Sequence, residues 1–427
     1  MKGKDKAIHV ECLARIEGEA GLRVTVRDGR IVSSQVRVLE PPRLFEAFLK
    51  GRSFVEVPDI TARICGICPV AHQLTAVQAI ENAFSIEVDN SIRALRDILY
   101  CGEWIASHSL HVFLLHGPDF LGYADGLRMA KDHPETVRLG LKLKKIGNEL
   151  VTLIGGREVH PVNVRIGGFY RLPELHDLRQ MEDKLKGALE DAVEAVRWAS
   201  KLPFPDYDRD YEFVALRGDG AYPMYRGEIV SSSGLRLVAD HYEEVFVEAQ
   251  SPHSHALHSK IRGSGSFAVG PLARFNLNRA SLPPLAREAS EMAGLATPCQ
   301  NIFQSIVVRC IEIVLACERA LELIETYEPP KSPGVMITPM AGKGYGCSEA
   351  PRGLLYHQYA LDENGIVREA NIIPPTAQNL SSMEQDLANL VTRNVNTDDS
   401  ELTRLCEQTI RSYDPCISCA AHVLDIS

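Results

Sequence analysis

The sequence predicts an α+β protein that is predominantly α-helical, with a central bundle of long helices and small β-containing regions near the N-terminus, in the middle and in the C-terminal third. Three observations carry this. Long segments repeat apolar residues with helical spacing. The first 40 residues instead alternate apolar and polar side chains about Asp28-Gly29, a hairpin signal. The stretch Pro203 to Leu282 is rich in Gly, Ser and aromatic residues in short alternating runs, which reads as irregular β structure.

In chain order, Ile8 to Leu39 reads as paired strands. Helical periodicity covers Arg43 to Lys50, Ala71 to Ala83, Ser91 to His116 and Glu135 to Ile154, the last stopped by Gly155-Gly156. Pro173 to Lys201 follows as a long amphipathic helix with a proline at its start. Cys299 to Tyr327 is apolar nearly all round, as in a helix buried within a bundle. Leu354 to Ile373 reads as a hairpin about Asn364-Gly365, then helices near Gln378 to Val395 and Asp399 to Ser412. With no internal repeat and no Pro/Gly/Ser linker, residues 1–427 are expected to form one intertwined domain. Within it, 1–40 is the hairpin region, 41–202 and 283–330 the helical core, 203–282 the irregular β-rich region, and 331–427 the hairpin, helices and last cysteine motif.

The chain is long and apolar enough for a large core, at 427 residues and 45% hydrophobic. Its net charge of -10 gives no basic face for nucleic-acid phosphate or anionic lipid, so neither partner is expected. Met1 to Lys6 is charged and leads into no signal-like apolar core, and charges interrupt every apolar run short of a membrane span. A cytoplasmic protein is expected. Eleven cysteines, an odd number in such a chain, point away from a disulfide framework and toward thiols that bind metal or pack.

Two Cys-x-x-Cys pairs stand out: Cys65-Gly66-Ile67-Cys68, followed by His72, and Cys416-Ile417-Ser418-Cys419, followed by His422. Each spacing lets two sulfurs converge on one ion. A structural zinc site is one reading, but zinc modules close over short loops, whereas these pairs flank most of the chain. A thiol-disulfide enzyme needs one pair after a strand in a βαβ unit. A buried thiolate metal centre is preferred to both. His253, His255 and His258 cluster in a Ser-containing segment and are expected to be solvated loop residues. Gly342 to Gly346 has only a superficial likeness to a phosphate loop and is expected to be tight backbone near the site. Cys12, Cys101, Cys299, Cys310, Cys317, Cys347 and Cys406 lack paired spacing, and most are expected in the core.

Read as motifs, RICGIC with His72 and DPCISCAAH resemble the paired signatures of nickel-iron hydrogenase large subunits. LARIEGEAG (Leu13 to Gly21), RLFE (Arg43 to Glu46), SHSLH (Ser107 to His111), EAPRG (Glu349 to Gly353) and IIPPTAQN (Ile372 to Asn379) occur in that family's order, so the resemblance spans nearly the whole chain.

That resemblance implies a dinuclear Ni-Fe(CN)2(CO) centre. Cys65, Cys68, Cys416 and Cys419 would hold nickel, with Cys68 and Cys419 also bridging to iron. It further implies reversible heterolytic cleavage of H2, with Cys416 as base, Glu17 as proton relay, Arg352 over the iron ligands and His72 donating to a bridging sulfur. Glu46 and His422 match two ligands of a structural Mg2+ (or Fe) site, completed by a backbone carbonyl near Ile372 to Pro374. Taken without their motifs, Glu17 and Arg352 would read as surface residues and His72 as a packing residue.

The cysteines left over show no iron-sulfur spacing, so a separate small iron-sulfur subunit is implied. The wording of several motifs is most similar to the cytoplasmic NAD(P)-linked and sulfhydrogenase group, in which flavin and further iron-sulfur diaphorase-type subunits pass electrons to the nicotinamide. No NAD(P) or flavin motif is present in this chain. Alternatives are a ferredoxin, deazaflavin-coenzyme or heterodisulfide-type acceptor, or a non-catalytic tetrathiolate metal protein of the same fold. Relatives often lose a tail after the histidine of the second motif. Here only Val423 to Ser427 follow His422, so the chain is expected to be natively uncleaved or to precede processing by a maturation endopeptidase, with nickel then absent.

Overall fold

The computed structural model describes residues 5–421. An antiparallel sheet of β1 (Lys6–Val10), β2 (Ala20–Arg27) and β3 (Arg30–Val38) opens the chain. Asp28 and Gly29, both left-handed at φ 49° and 73°, make the tight β2–β3 turn whose twist suits a hairpin. Between β1 and β2 the chain leaves the sheet, and residues 11–19 run instead toward the last cysteine motif.

After a short α1 (Phe45–Leu49) come α2 (Pro69–Ala83), α3 (Asn90–Leu110), α4 (Pro134–Gly155) and α5 (Leu175–Ala199). Where the sequence predicts a helix unbroken from 91 to 116, the structure widens to a π-helical turn over His111–His116. The middle region holds a small sheet (Val214–Arg217, Glu228–Ser231, Arg236–Leu237) and the hairpin β4 (Phe246–Gln250) and β5 (Leu257–Ile261). α6 (Ser305–Glu325) then crosses the bundle against α3 and α5, buried on nearly every side as its composition predicts.

A second three-stranded sheet, β6 (Gly342–Ala350), β7 (Gly353–Leu361) and β8 (Val367–Ile373), is followed by α7 (Pro375–Arg393), α8 (Asp399–Ser412) and the one-turn α9 (Ile417–Ala420). Gly342 to Gly346, expected as tight backbone, forms the start of strand β6. Its glycines serve close packing: a Cβ on Gly344 would stand 2.0 Å from the Ala79 carbonyl oxygen, and one on Gly346 2.5 Å from that of Thr75. Side-chain-free positions thus let β6 lie directly on the backbone of α2.

The histidine cluster also departs from expectation. His258 is on β5 and buried, His253 is half-buried in the preceding turn, and only His255 is exposed. Among the described residues no helix is long and apolar enough to cross a membrane.

Candidate metal centre

The two cysteine pairs meet although 351 residues separate their first members. Pro69 fixes the first turn of α2, so Cys68 lies at its N-cap and Cys65 one loop before it. Glu103 of α3 accepts hydrogen bonds from Val70 N (2.7 Å) and Ala71 N (3.1 Å), satisfying amides that the helix start leaves open. The second pair is carried by α9, with Cys416 at its N-cap and Cys419 within its single turn. Cys416 N donates to Thr376 Oγ1 in the first turn of α7 (2.9 Å).

All four cysteines are buried and unbridged by disulfide, and their sulfurs lie within 4.8 Å of one another. Cys65 Sγ faces Cys416 Sγ at 3.4 Å and Cys68 Sγ faces Cys419 Sγ at 3.6 Å. Hydrogen bonds from Cys416, Cys419 and Cys68 hold Cys65 well below the usual thiol range, whereas burial pushes Cys416 and Cys419 up. Four converging soft donors in a dry pocket fit nickel and low-spin iron and suit hard cations poorly.

Two further groups, Glu17 and Arg352, close on the sulfurs. Glu17 approaches the second pair as a single parallel bridge: Ile417 N donates to Glu17 O (3.0 Å), while Cys416 Sγ (3.1 Å) and Ser418 N (3.0 Å) donate to Glu17 Oε2. Gly18 permits this contact. It has φ +81°, and a Cβ there would come within 2.6 Å of Glu40 Oε2 and 2.7 Å of Ile417 Cβ.

Arg352, 2% exposed, sits in the two-residue turn between β6 and β7. Its Nε donates to the Asp414 carbonyl (2.7 Å) and its Nη2 to Asp414 Oδ1 (3.1 Å), while Nη1 has no hydrogen-bond partner among the described residues. Burial works against its charge, but Asp414, then Cys416, Cys68 and Cys65, keep the guanidinium well above its ordinary range. An unpartnered buried donor beside four thiols fits a centre that carries anionic ligands.

His72, buried in the first turn of α2, has Nδ1 3.3 Å from His357 Nε2, and His357 Nδ1 reaches Tyr359 Oη at 2.7 Å. Glu46 of α1 accepts from Ile372 N (2.7 Å) some distance along the chain from the sulfurs, and burial raises its carboxyl to about 7. Arg43 N donates to the carbonyl of Ala421, the last described residue, which brings the end of the second motif to the start of α1. His422 lies outside the described residues.

Sequence reasoning missed the supports. Arg274 bonds Glu312 twice (2.8 and 2.7 Å), Glu349 (3.1 Å) and the carbonyls of Ala350 and Pro351, fixing the turn that presents Arg352. Asp119 receives Arg411 through Nε (2.7 Å) and Nη2 (2.9 Å) and also Arg15, tying the segment before Glu17 to α8. Asp414 had a visible signal, since it opens the DPCISC motif. Asp119 lies in LHVFLLHGPDFLGY, another segment with the family's wording, whereas Arg274 and Arg411 had no signal. Of the unpaired cysteines, Cys12 is exposed and the rest are buried.

Comparison with known proteins agrees with this chemistry. The family described as nickel-dependent hydrogenase matches residues 43–143 and 265–422. The alpha subunit of sulfhydrogenase 1 from Pyrococcus furiosus is 35% identical over 430 residues, covering 99% of this chain and 100% of the relative. An F420-non-reducing hydrogenase of Methanothermobacter thermautotrophicus is 32% identical (97% and 94% covered), and the beta subunit of the NAD-reducing hydrogenase HoxS from Cupriavidus necator 27% (97% and 94%). The fold is that of a crystal structure of an NAD+-reducing [NiFe]-hydrogenase in the H2-reduced state, with a TM-score of 0.90, 24% identity, and 98% and 100% of the two chains covered. With the four-thiolate pocket and the matched motifs together, the chain belongs to the nickel-dependent hydrogenases and is the catalytic large subunit of a nickel-iron enzyme, an oxidoreductase acting on H2.

Proposed function

We propose that this protein cleaves H2 heterolytically and reversibly, with Cys65, Cys68, Cys416 and Cys419 holding nickel and Cys68 and Cys419 shared with an iron bearing carbonyl and cyanide. When bound, that centre supplies the Lewis acid that polarises H2. The chain's own residues handle the proton. Cys416 Sγ takes it, and Glu17 Oε2, 3.1 Å away, receives it and carries it toward the surface. Arg352 Nη1 would offer its donor to anionic ligands of the bound centre, and His72 would donate to the sulfur of a site cysteine. The observation that carries this reading is the Cys416–Glu17 contact, which joins a site thiol to a half-buried carboxyl outside it.

Glu46 and His422 are proposed as ligands of a structural Mg2+ (or Fe), supported by the Ile372–Glu46 and Arg43–Ala421 hydrogen bonds that gather these segments. The whole chain is read as one intertwined domain, since its main core draws on residues from Ile8 to Ala421. Electrons leave to a small partner carrying iron-sulfur clusters and, through flavin and iron-sulfur diaphorase-type subunits, reach NAD(P) in the cytoplasm. Similarity to a relative named NAD-reducing supports that acceptor. The higher identity to F420-non-reducing relatives favours a second reading with a different acceptor.

Infrared spectra and metal analysis of the purified complex test the core of this. Carbonyl and cyanide bands are expected together with nickel and with iron in excess of it, since the partner's iron-sulfur clusters contribute iron as well; zinc alone would overturn it. A Cys416→Ser variant that turns over H2 near the parent rate would exclude that thiol as base. H2-driven reduction assayed with NAD+, NADP+, ferredoxin and a deazaflavin coenzyme separates the acceptors.

A further inference from the structure

Away from the thiolate pocket, three side chains that are far apart in sequence bring nitrogen and oxygen atoms together. His253 lies in the turn between β4 and β5, His258 is the second residue of β5, and Glu384 is in the middle of α7. His253 Nε2 stands 2.7 Å from Glu384 Oε1 and His258 Nδ1 3.9 Å from Glu384 Oε2. One donor atom from each residue lies within 4.8 Å of the others, and the imidazole rings meet nearly at right angles with centroids 5.6 Å apart.

We propose that His253, His258 and Glu384 form a second metal site, taking a borderline divalent ion such as zinc. Two imidazoles and one carboxylate are a ligand set for zinc or its transition-metal neighbours, with water in the remaining position; magnesium and calcium prefer all-oxygen shells. A plain ion pair between His253 and Glu384 accounts for only part of the arrangement. His258 is 5% exposed, its Nδ1 is too far from the carboxylate for a hydrogen bond, and its Nε2 has no partner among the described residues. His258 Nδ1 faces the Glu384 carboxylate at a separation that an ion held by both would span.

The outer contacts are those that orient metal ligands. Ser251 Oγ lies 3.0 Å from His253 Nδ1 and 3.3 Å from its Nε2, and Val36 N donates to Glu384 Oε1 at 3.0 Å. Lys260, two residues beyond His258, adds positive charge at the rim and limits affinity. His253 and Glu384 are only partly covered, so the ion has a way in from solvent.

The ion would act as a clasp. It joins the β4–β5 hairpin to α7, which hydrogen bonds already hold to β3, with Ser34 Oγ donating to the Glu384 carbonyl at 2.8 Å. α7 also carries Thr376, eight residues before Glu384 and about 12 Å along the axis, whose Oγ1 accepts from Cys416 N.

Nickel-loaded complex dialysed against buffer of fixed low free zinc, then analysed for metals, tests the site. One zinc per chain beyond nickel and iron is expected, lost in His258→Gln and Glu384→Gln while the nickel-to-iron ratio and infrared bands stay at parent values. Zinc, and not magnesium, should also raise the melting temperature of the parent complex, a readout that needs no variant. Should the nickel-iron reading itself fail, zinc held in the thiolate pocket is told apart by its loss in Cys65→Ser and its retention in His258→Gln. No added zinc in the parent, an unmoved melting temperature, or zinc retained in full by both His258→Gln and Glu384→Gln would overturn the proposal.

Discussion

Glu17 Oε2 lies 3.1 Å from Cys416 Sγ while the Glu17 carbonyl accepts from Ile417 N, so one residue from the N-terminal segment grips the second cysteine motif by side chain and backbone together. The relay carboxyl is therefore positioned by backbone as well as side-chain contacts.

Glu17→Gln keeps the backbone bridge and most of the side-chain shape but cannot relay protons. H2 turnover should fall by about 10²-fold or more, with nickel, iron and infrared bands retained. Turnover equal to that of the parent would remove Glu17 from the proton route.

Gly18→Ala places a methyl against Glu40 and Ile417 at a left-handed position. A loss of about 1–3 kcal/mol in stability is expected, read as a lower melting temperature, together with reduced turnover as Glu17 is displaced. A variant as stable and active as the parent would show that the close approach is not required.

Arg352→Lys keeps a charge and loses the fork that spans the Asp414 carbonyl and carboxylate. Turnover should drop at least tenfold and the cyanide bands should shift, since a donor near them has changed. Unshifted bands would place Arg352 away from the iron ligands.

Three buried histidines set an acid limit. Burial lowers His108 to about 4, despite the neighbouring Glu312, and lowers His111 and His116 well below their usual value. Folded, all three stay neutral as pH falls below about 6.5; unfolded, each takes a proton near that pH. The unfolded chain thus binds more protons, and stability declines from about pH 6.5 toward 4, by up to about 1.4 kcal/mol per pH unit for each histidine. Melting temperatures across this range should fall, and less steeply in His116→Gln. A flat profile would contradict neutral burial.

The cysteine pairs, the Asp28-Gly29 hairpin and the long helices were legible because each has a local signature: fixed spacing, turn chemistry or period. β6 was legible only as tight backbone, since nothing in GKGYG itself announces a strand until α2 is seen lying against it. His258 was misread for a similar reason. Its burial comes from Glu384, 126 residues away, and from a strand whose pairing no short window reveals. Arg274 organises the site only through long-range contacts, with no motif of its own.

The separation of the two pairs also has a meaning in time. At roughly 5–20 residues per second of synthesis, the 351 positions between Cys65 and Cys416 correspond to roughly 20–70 seconds in which the first pair exists and the second does not. A soft metal offered in that interval meets two thiols rather than four. The last wall of the pocket is the last to be made, so delivery of nickel has to wait for the chain to close on it.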